Sequence, residues 1–159
     1  KYWSTTFSKK SNVFFRDLTE WNDFNVLNSF GNFPIELVQF LDPSIEYIEF
    51  NPNETELIVK FKKDKEPIAM RGIQNISHYL SSGTIKGLNV FMQAWMVLIK
   101  GGYFIIDEIE NHFNKEIVAT LIRFFMDKKV NKNGATLVYS THYVELLDEL
   151  DRNDGIYAW

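Results

Sequence analysis

The chain has 159 residues, 45% of them apolar and including 14 Phe, 7 Tyr and 4 Trp, which excludes a disordered segment and suffices to bury a sizeable core. A formal net charge of -4 carries no footprint of a dedicated nucleic-acid binder. The absence of cysteine excludes a disulfide scaffold and thiolate metal sites. The cytoplasm is the expected setting: the longest apolar stretch, Val90 to Ile99, is too short to span a bilayer and contains Gln93, and no signal-peptide pattern is visible.

Residues 1 to 33, rich in Asn, Ser and Phe, give no readable pattern. Pro34 suits the first position of a short helix through Leu41, because its missing N–H has no helical partner there anyway. Ser44 to Phe50 and Thr55 to Phe61 alternate as strands, and Asn51-Pro52-Asn53 between them is turn chemistry, so an antiparallel hairpin is expected. Pro67 to Met70 adds a short third strand. Thr84 to Lys100 is apolar on nearly every side after Lys86, as in a helix buried within a larger body. Gly101-Gly102 ends it, and Tyr103 to Ile106 is the continuous apolar run of a buried parallel strand. Asn114 caps a helix whose apolar residues Ile117, Val118, Leu121, Ile122 and Phe125 follow helical spacing. Ala135 to Tyr139 is expected as a second buried strand, parallel to the first through the intervening crossover. Val144 to Leu150 is expected as a further helix and Ile156 to Trp159 as a strand. The chain starts at Lys1 rather than Met and stops within that apolar run, so sequence is expected to continue on both sides.

Three short segments carry the candidate chemistry. The crossover brings Asp107-Glu108 and Ser140-Thr141-His142 to the carboxyl ends of neighbouring strands, where ligands of parallel sheets collect. An aspartate ending a buried strand can hold Mg²⁺ through water, and the adjacent glutamate can orient and deprotonate an attacking water. His142 can donate to a terminal phosphate oxygen. Ser81-Ser82-Gly83-Thr84 is a helix start, capped by Ser82 or Thr84, that aims backbone N–H groups and a helix dipole at an anion. No G-x-x-x-x-G-K-[ST] phosphate loop occurs in the sequence.

Taken in order, LSSGT at 80–84, GGYFIIDEIENHF at 101–113 and ATLVYSTHYVELLD at 135–148 resemble the C-terminal half of bacterial ABC-like AAA-family ATPases of the overcoming-lysogenization type. These are distant relatives of chromosome-maintenance and recombination-repair ATPases. The resemblance implies an α/β fold, the C-terminal part of an ABC-type P-loop head: parallel strands flanked by helices across 80–159, preceded by an α+β segment with a β-hairpin across 1–79. It further implies that Ser81, Ser82 and Gly83 are signature residues reaching ATP held by a partner head, and that Asp107 is the Walker B ligand of Mg²⁺. Glu108 would be the general base and His142 the switch histidine, with Asn111, His112 and Asn114 in the D-loop that touches the partner subunit. The implied partners are an N-terminal Walker A half of the same ATPase and a second copy joined through the ATP sites. An effector nuclease or toxin in phage defence is a further implied partner, and nucleic acid is left open. The signature carries Ser82 and Thr84 where transporter versions carry a glycine and a glutamine. Without a phosphate loop the γ-phosphate lacks most of its partners, so the isolated chain is expected neither to bind ATP tightly nor to hydrolyse it.

Two other readings follow from the residues. Glu108 and His112, at i and i+4, would share a helical face if the following helix began early, and with Asp107 and His142 they would form a metal-dependent hydrolase site. Alternatively the acidic strand end is inert and the chain is a non-catalytic interaction or regulatory module.

Overall fold

In the computed structural model the described residues are 4–8, 11–17, 33–51, 56–71, 73–111 and 113–149, with 4–8, 11–17, 73–74 and 147–149 described through the backbone alone. The expected strand at 156–159, the turn at Pro52-Asn53 and His112 lie outside them. The chain divides into two units, Glu20–Trp95 and Lys1–Thr19 with Met96–Trp159.

Glu20–Trp95 holds a short helix α1 (Ile35–Leu41), an antiparallel sheet of β3 (Ile45–Asn51), β4 (Glu56–Phe61) and β5 (Ile68–Arg71), a 3₁₀ segment (Ile73–His78) and most of α2 (Ser82–Lys100). Pro34 stands one position before α1, and its carbonyl accepts from the Val38 N–H at 3.1 Å, so the fixed φ of proline sets the helix entry. The expected hairpin is present as β3 paired with β4. A register shift between Ile45 and Tyr47 breaks the two-residue period, which is why Ile45 and Ile48, three apart, are both buried. On β4 the period holds, and Leu57 and Val59 turn inward together. They join Phe33, Val38, Met70, Ile76, Leu80, Ile85, Leu88 and Met92 in one core. Glycine at 87 permits the closest approach within it: a Cβ there would lie 2.5 Å from Leu41 Cδ2 of α1.

The other unit contains a four-stranded sheet in the order β1 (Ser4–Ser8), β2 (Ser11–Asp17), β6 (Tyr103–Asp107), β7 (Thr136–Tyr139). β1 and β2 are antiparallel, whereas β2 with β6 and β6 with β7 are parallel. The unreadable N-terminal segment therefore supplies half the described strands of this sheet, and β2 pairs with β6 from Val13 against Tyr103 to Asp17 against Asp107. α2 ends at Lys100, where Gly101 takes a left-handed φ of 72° and Asn133 Nδ2 donates to the Leu98 and Ile99 carbonyls at 3.0 and 2.7 Å. α3 (Lys115–Met126) is capped as expected, with Asn114 Oδ1 accepting from the Ile117 N–H at 3.0 Å. It buries Val118, Ala119, Leu121 and Ile122, and Phe125 stacks on Phe104 of β6 at 6.4 Å.

Three expectations change. β6 is fully buried on one face only: Phe104 and Ile106 are buried, whereas Ile105 is half-buried and Tyr103 is 43% exposed. β7 is not a buried strand, since it has a single hydrogen-bonded neighbour among the described strands and Val138 is 47% exposed. The helix expected at 144–150 is a 3₁₀ segment, Val144–Glu149, anchored by buried Leu146. Among the described residues no helix is long and apolar enough to cross a membrane.

Candidate functional site

Parallel pairing of β6 and β7 brings Ile106 opposite Tyr139, so both strands end at one edge, with Asp107-Glu108 leaving β6 and Ser140-Thr141-His142 leaving β7. Ser140 is the centre of that edge. Its hydroxyl donates to Asp107 Oδ1 at 2.5 Å and accepts from the Glu108 N–H at 2.8 Å. Its backbone continues the ladder in both directions: the Ser140 N–H donates to the Ile106 carbonyl at 3.2 Å, and its carbonyl accepts from the Ile109 N–H at 3.0 Å.

Glu108 occupies the left-handed region at φ 48°, which side-chain-bearing residues rarely adopt. Ser140 fixes its N–H, and its carbonyl accepts from the Asn111 N–H at 2.9 Å, so the conformation is held on both sides. Both Asp107 and Glu108 are exposed. Two adjacent carboxylates thereby face water with different surroundings, one hydrogen-bonded to a serine hydroxyl and one on a strained turn.

The next acidic residue plays a part the sequence did not reveal. Glu110 Oε1 accepts from the His142 N–H at 2.7 Å. Burial pushes the Glu110 carboxyl upward, but hydrogen bonds from the backbone of His142, from its own backbone and from the Thr141 hydroxyl, with the charge of His142, hold it below the ordinary carboxylate value. Its second oxygen, Oε2, is buried without a hydrogen-bond partner. Thr141 Oγ1 accepts from the Tyr143 N–H at 3.0 Å, and the Tyr143 hydroxyl donates to the Phe113 carbonyl at 3.4 Å. Residues 108–110 and 113 are thus joined to 140–143 at four points. His142 is exposed beside this seam, and Asn111 lies half-buried within the turn.

Ser81, Ser82 and Gly83 belong to the other unit, at the start of α2. The cap is Ser81 rather than Ser82 or Thr84: Ser81 Oγ accepts from the Thr84 N–H at 3.0 Å and lies 2.8 Å from Thr84 Oγ1. Thr84 is buried whereas Ser81 and Ser82 are exposed, so the side chains available at this helix start are the two serines.

The donor set at Asp107 suits a hard divalent cation, since carboxylate and hydroxyl oxygens meet at an exposed edge. Among the described residues no three His, Asp or Glu side chains are grouped as metal ligands. Residues 109–111 form a turn and α3 starts at Lys115, while His112, the second member of the expected Glu108–His112 metal pair, lies outside the described residues.

A protein-family model described as "AAA domain, putative AbiEii toxin, Type IV TA system" matches residues 5–148. The search of curated proteins gives no match.

Proposed function

The chain belongs to this AAA-domain family, an ATPase-like nucleotide-binding family, and from that premise we propose that it supplies the hydrolytic edge and the signature segment of an ABC-like ATPase head. The observation that carries the reading is the joined edge: the Ser140 hydroxyl bridges Asp107 Oδ1 and the Glu108 N–H at the carboxyl ends of two parallel strands. Asp107 and Ser140 would hold Mg²⁺, whose chemistry is to neutralise charge on the phosphate oxygens. Glu108 takes a proton from the attacking water. The water oxygen bonds to the γ-phosphorus, and the bond from that phosphorus to the β–γ bridging oxygen breaks as ADP leaves. His142 donates to a γ-phosphate oxygen.

In this reading the nucleotide is cradled by a phosphate-loop half of the same ATPase, and two heads meet face to face around it. Ser81, Ser82 and Gly83 of one head approach the nucleotide held by the other, with the N-terminus of α2 favouring its negative charge. Asn111 lies in the turn facing the partner head. Hydrolysis then drives a conformational cycle, for which an effector nuclease or toxin in phage defence is the proposed output. This chain alone, without a phosphate loop, neither binds ATP tightly nor turns it over.

The test is Mg²⁺-dependent ATP turnover by the phosphate-loop-containing protein of which this chain forms part, wild type beside Glu108→Gln. Loss of turnover with ATP binding kept and a dimer trapped supports the assignment. Equal turnover in both proteins refutes it and favours the interaction-module reading.

A further inference from the structure

We propose that Glu110 is the positioning residue of His142, a latch that fixes the switch histidine to the turn after β6. The inference rests on the ATPase reading above but concerns a residue that reading leaves unused. Glu110 sits at the tip of the turn between Glu108 and Phe113, whose carbonyls and N–H groups bond within the turn: the Asn111 N–H to Glu108 and the Phe113 N–H to Glu110, both at 2.9 Å. The side chain is therefore not needed to close its own turn. It reaches across the chain, accepting the His142 N–H at 2.7 Å.

This contact acts on the backbone of the one residue whose imidazole must meet a phosphate. His142 is exposed and lies past the last residue of β7, so the sheet ladder does not hold it. Its N–H has one acceptor, the Glu110 carboxylate, and a bond to an ionised acceptor is shorter and roughly twice as strong as a neutral one. Next to it, Thr141 Oγ1 accepts the Tyr143 N–H at 3.0 Å. Removing the Glu110 side chain frees the His142 N–H while leaving Asp107, Ser140 and Glu108 joined through their own bonds. Displacement of the 108–113 turn, for instance by a partner head, would carry His142 with it.

The experiment compares Glu110→Ala and Glu110→Gln with Glu108→Gln in the complete phosphate-loop-containing ATPase, measuring kcat, KM and ATP binding. Glutamine keeps a carbonyl oxygen able to accept the His142 N–H, whereas alanine keeps none. Glu110→Ala is expected to lower kcat by roughly 100-fold, the scale on which misplacing a reacting group by about 1 Å acts. KM and ATP affinity should change by less than about threefold, because the latch touches no binding group of the phosphate cradle. Glu110→Gln should recover most of kcat. A double variant, Glu110→Ala with His142→Ala, should be no slower than His142→Ala alone, since both act through one imidazole. Unchanged kcat in Glu110→Ala, or losses that multiply with those of His142→Ala, overturns the latch while Glu108→Gln remains inactive. If Glu108→Gln itself turns over normally, the ATPase reading has failed first.

Discussion

Side-chain hydrogen bonds at the strand edge at Asp107 reach across long sequence separations, whereas those at the helix start at Ser81 stay within its first turn. At the edge, Ser140 joins Asp107 to Glu108 and Glu110 joins His142, across sequence separations of more than thirty residues. At the helix start, Ser81 Oγ meets Thr84 three residues away, and Ser81 and Ser82 face water. Under the proposed function the difference is a division of labour. Groups that must move protons are fixed in advance, because misalignment is costly, while groups that receive an anion from another molecule need only preformed N–H donors and space.

Substitutions at the two places should break this contrast in different ways. The largest effect is expected from Glu108→Gln in the complete ATPase, which should lower turnover by about 10²- to 10⁴-fold, the range for loss of a positioned general base, measured as phosphate release. Ser140→Ala should follow. It removes the bridge between Asp107 and Glu108, lowering kcat by at least about tenfold and stability by about 1–3 kcal/mol, read by denaturant titration. Ser81→Ala should cost about 1 kcal/mol through its lost cap and reduce ATP-dependent dimerisation, while Ser81→Thr keeps the cap. Stability unchanged by Ser81→Ala would show that the serine does not serve its own helix. Asn114→Ala should likewise lose about 1 kcal/mol through its lost cap, and weakened dimerisation beside that loss would support the partner contact proposed for its turn.

The smallest effect concerns pH. The Glu110 carboxyl is held below its unfolded value, so its contribution to stability is complete above the ordinary carboxylate range. That contribution is lost as pH falls through the folded-state value. Acid titration of Glu110→Gln should lack this component, and a melt profile identical to wild type across that range would remove it.

Much of the scaffold was legible in the sequence because its signals are local. Asn114 announces α3, Gly101 marks the end of α2, and the alternation of β3 and β4 around a turn gives the hairpin. The strand ends at Asp107 and Tyr139 follow from apolar runs and their spacing. β1 and β2 were not legible, since Ser4–Ser8 and Ser11–Asp17 mix polar and aromatic residues without clean alternation, and β2 is specified by a partner some ninety residues later. Neither was Glu110. In the series Asp107-Glu108-Ile109-Glu110 it looks like one more solvated acid, and its role exists only once His142 is folded back against it. Ser81 was hidden for the opposite reason: Ser81, Ser82 and Thr84, three hydroxyl residues within four positions, each suit a cap, and only the geometry at Thr84 chooses among them.

The backbone at Glu108 carries a consequence for how this protein can be stabilised. A left-handed conformation costs a residue with a side chain on the order of 1 kcal/mol, which glycine does not incur. Selection for heat resistance alone should therefore favour Glu108→Gly, and the same substitution should extinguish turnover. Position 108 would emerge from such a screen as a site where robustness and work are in direct opposition, a mark of its task obtained without supplying any nucleotide.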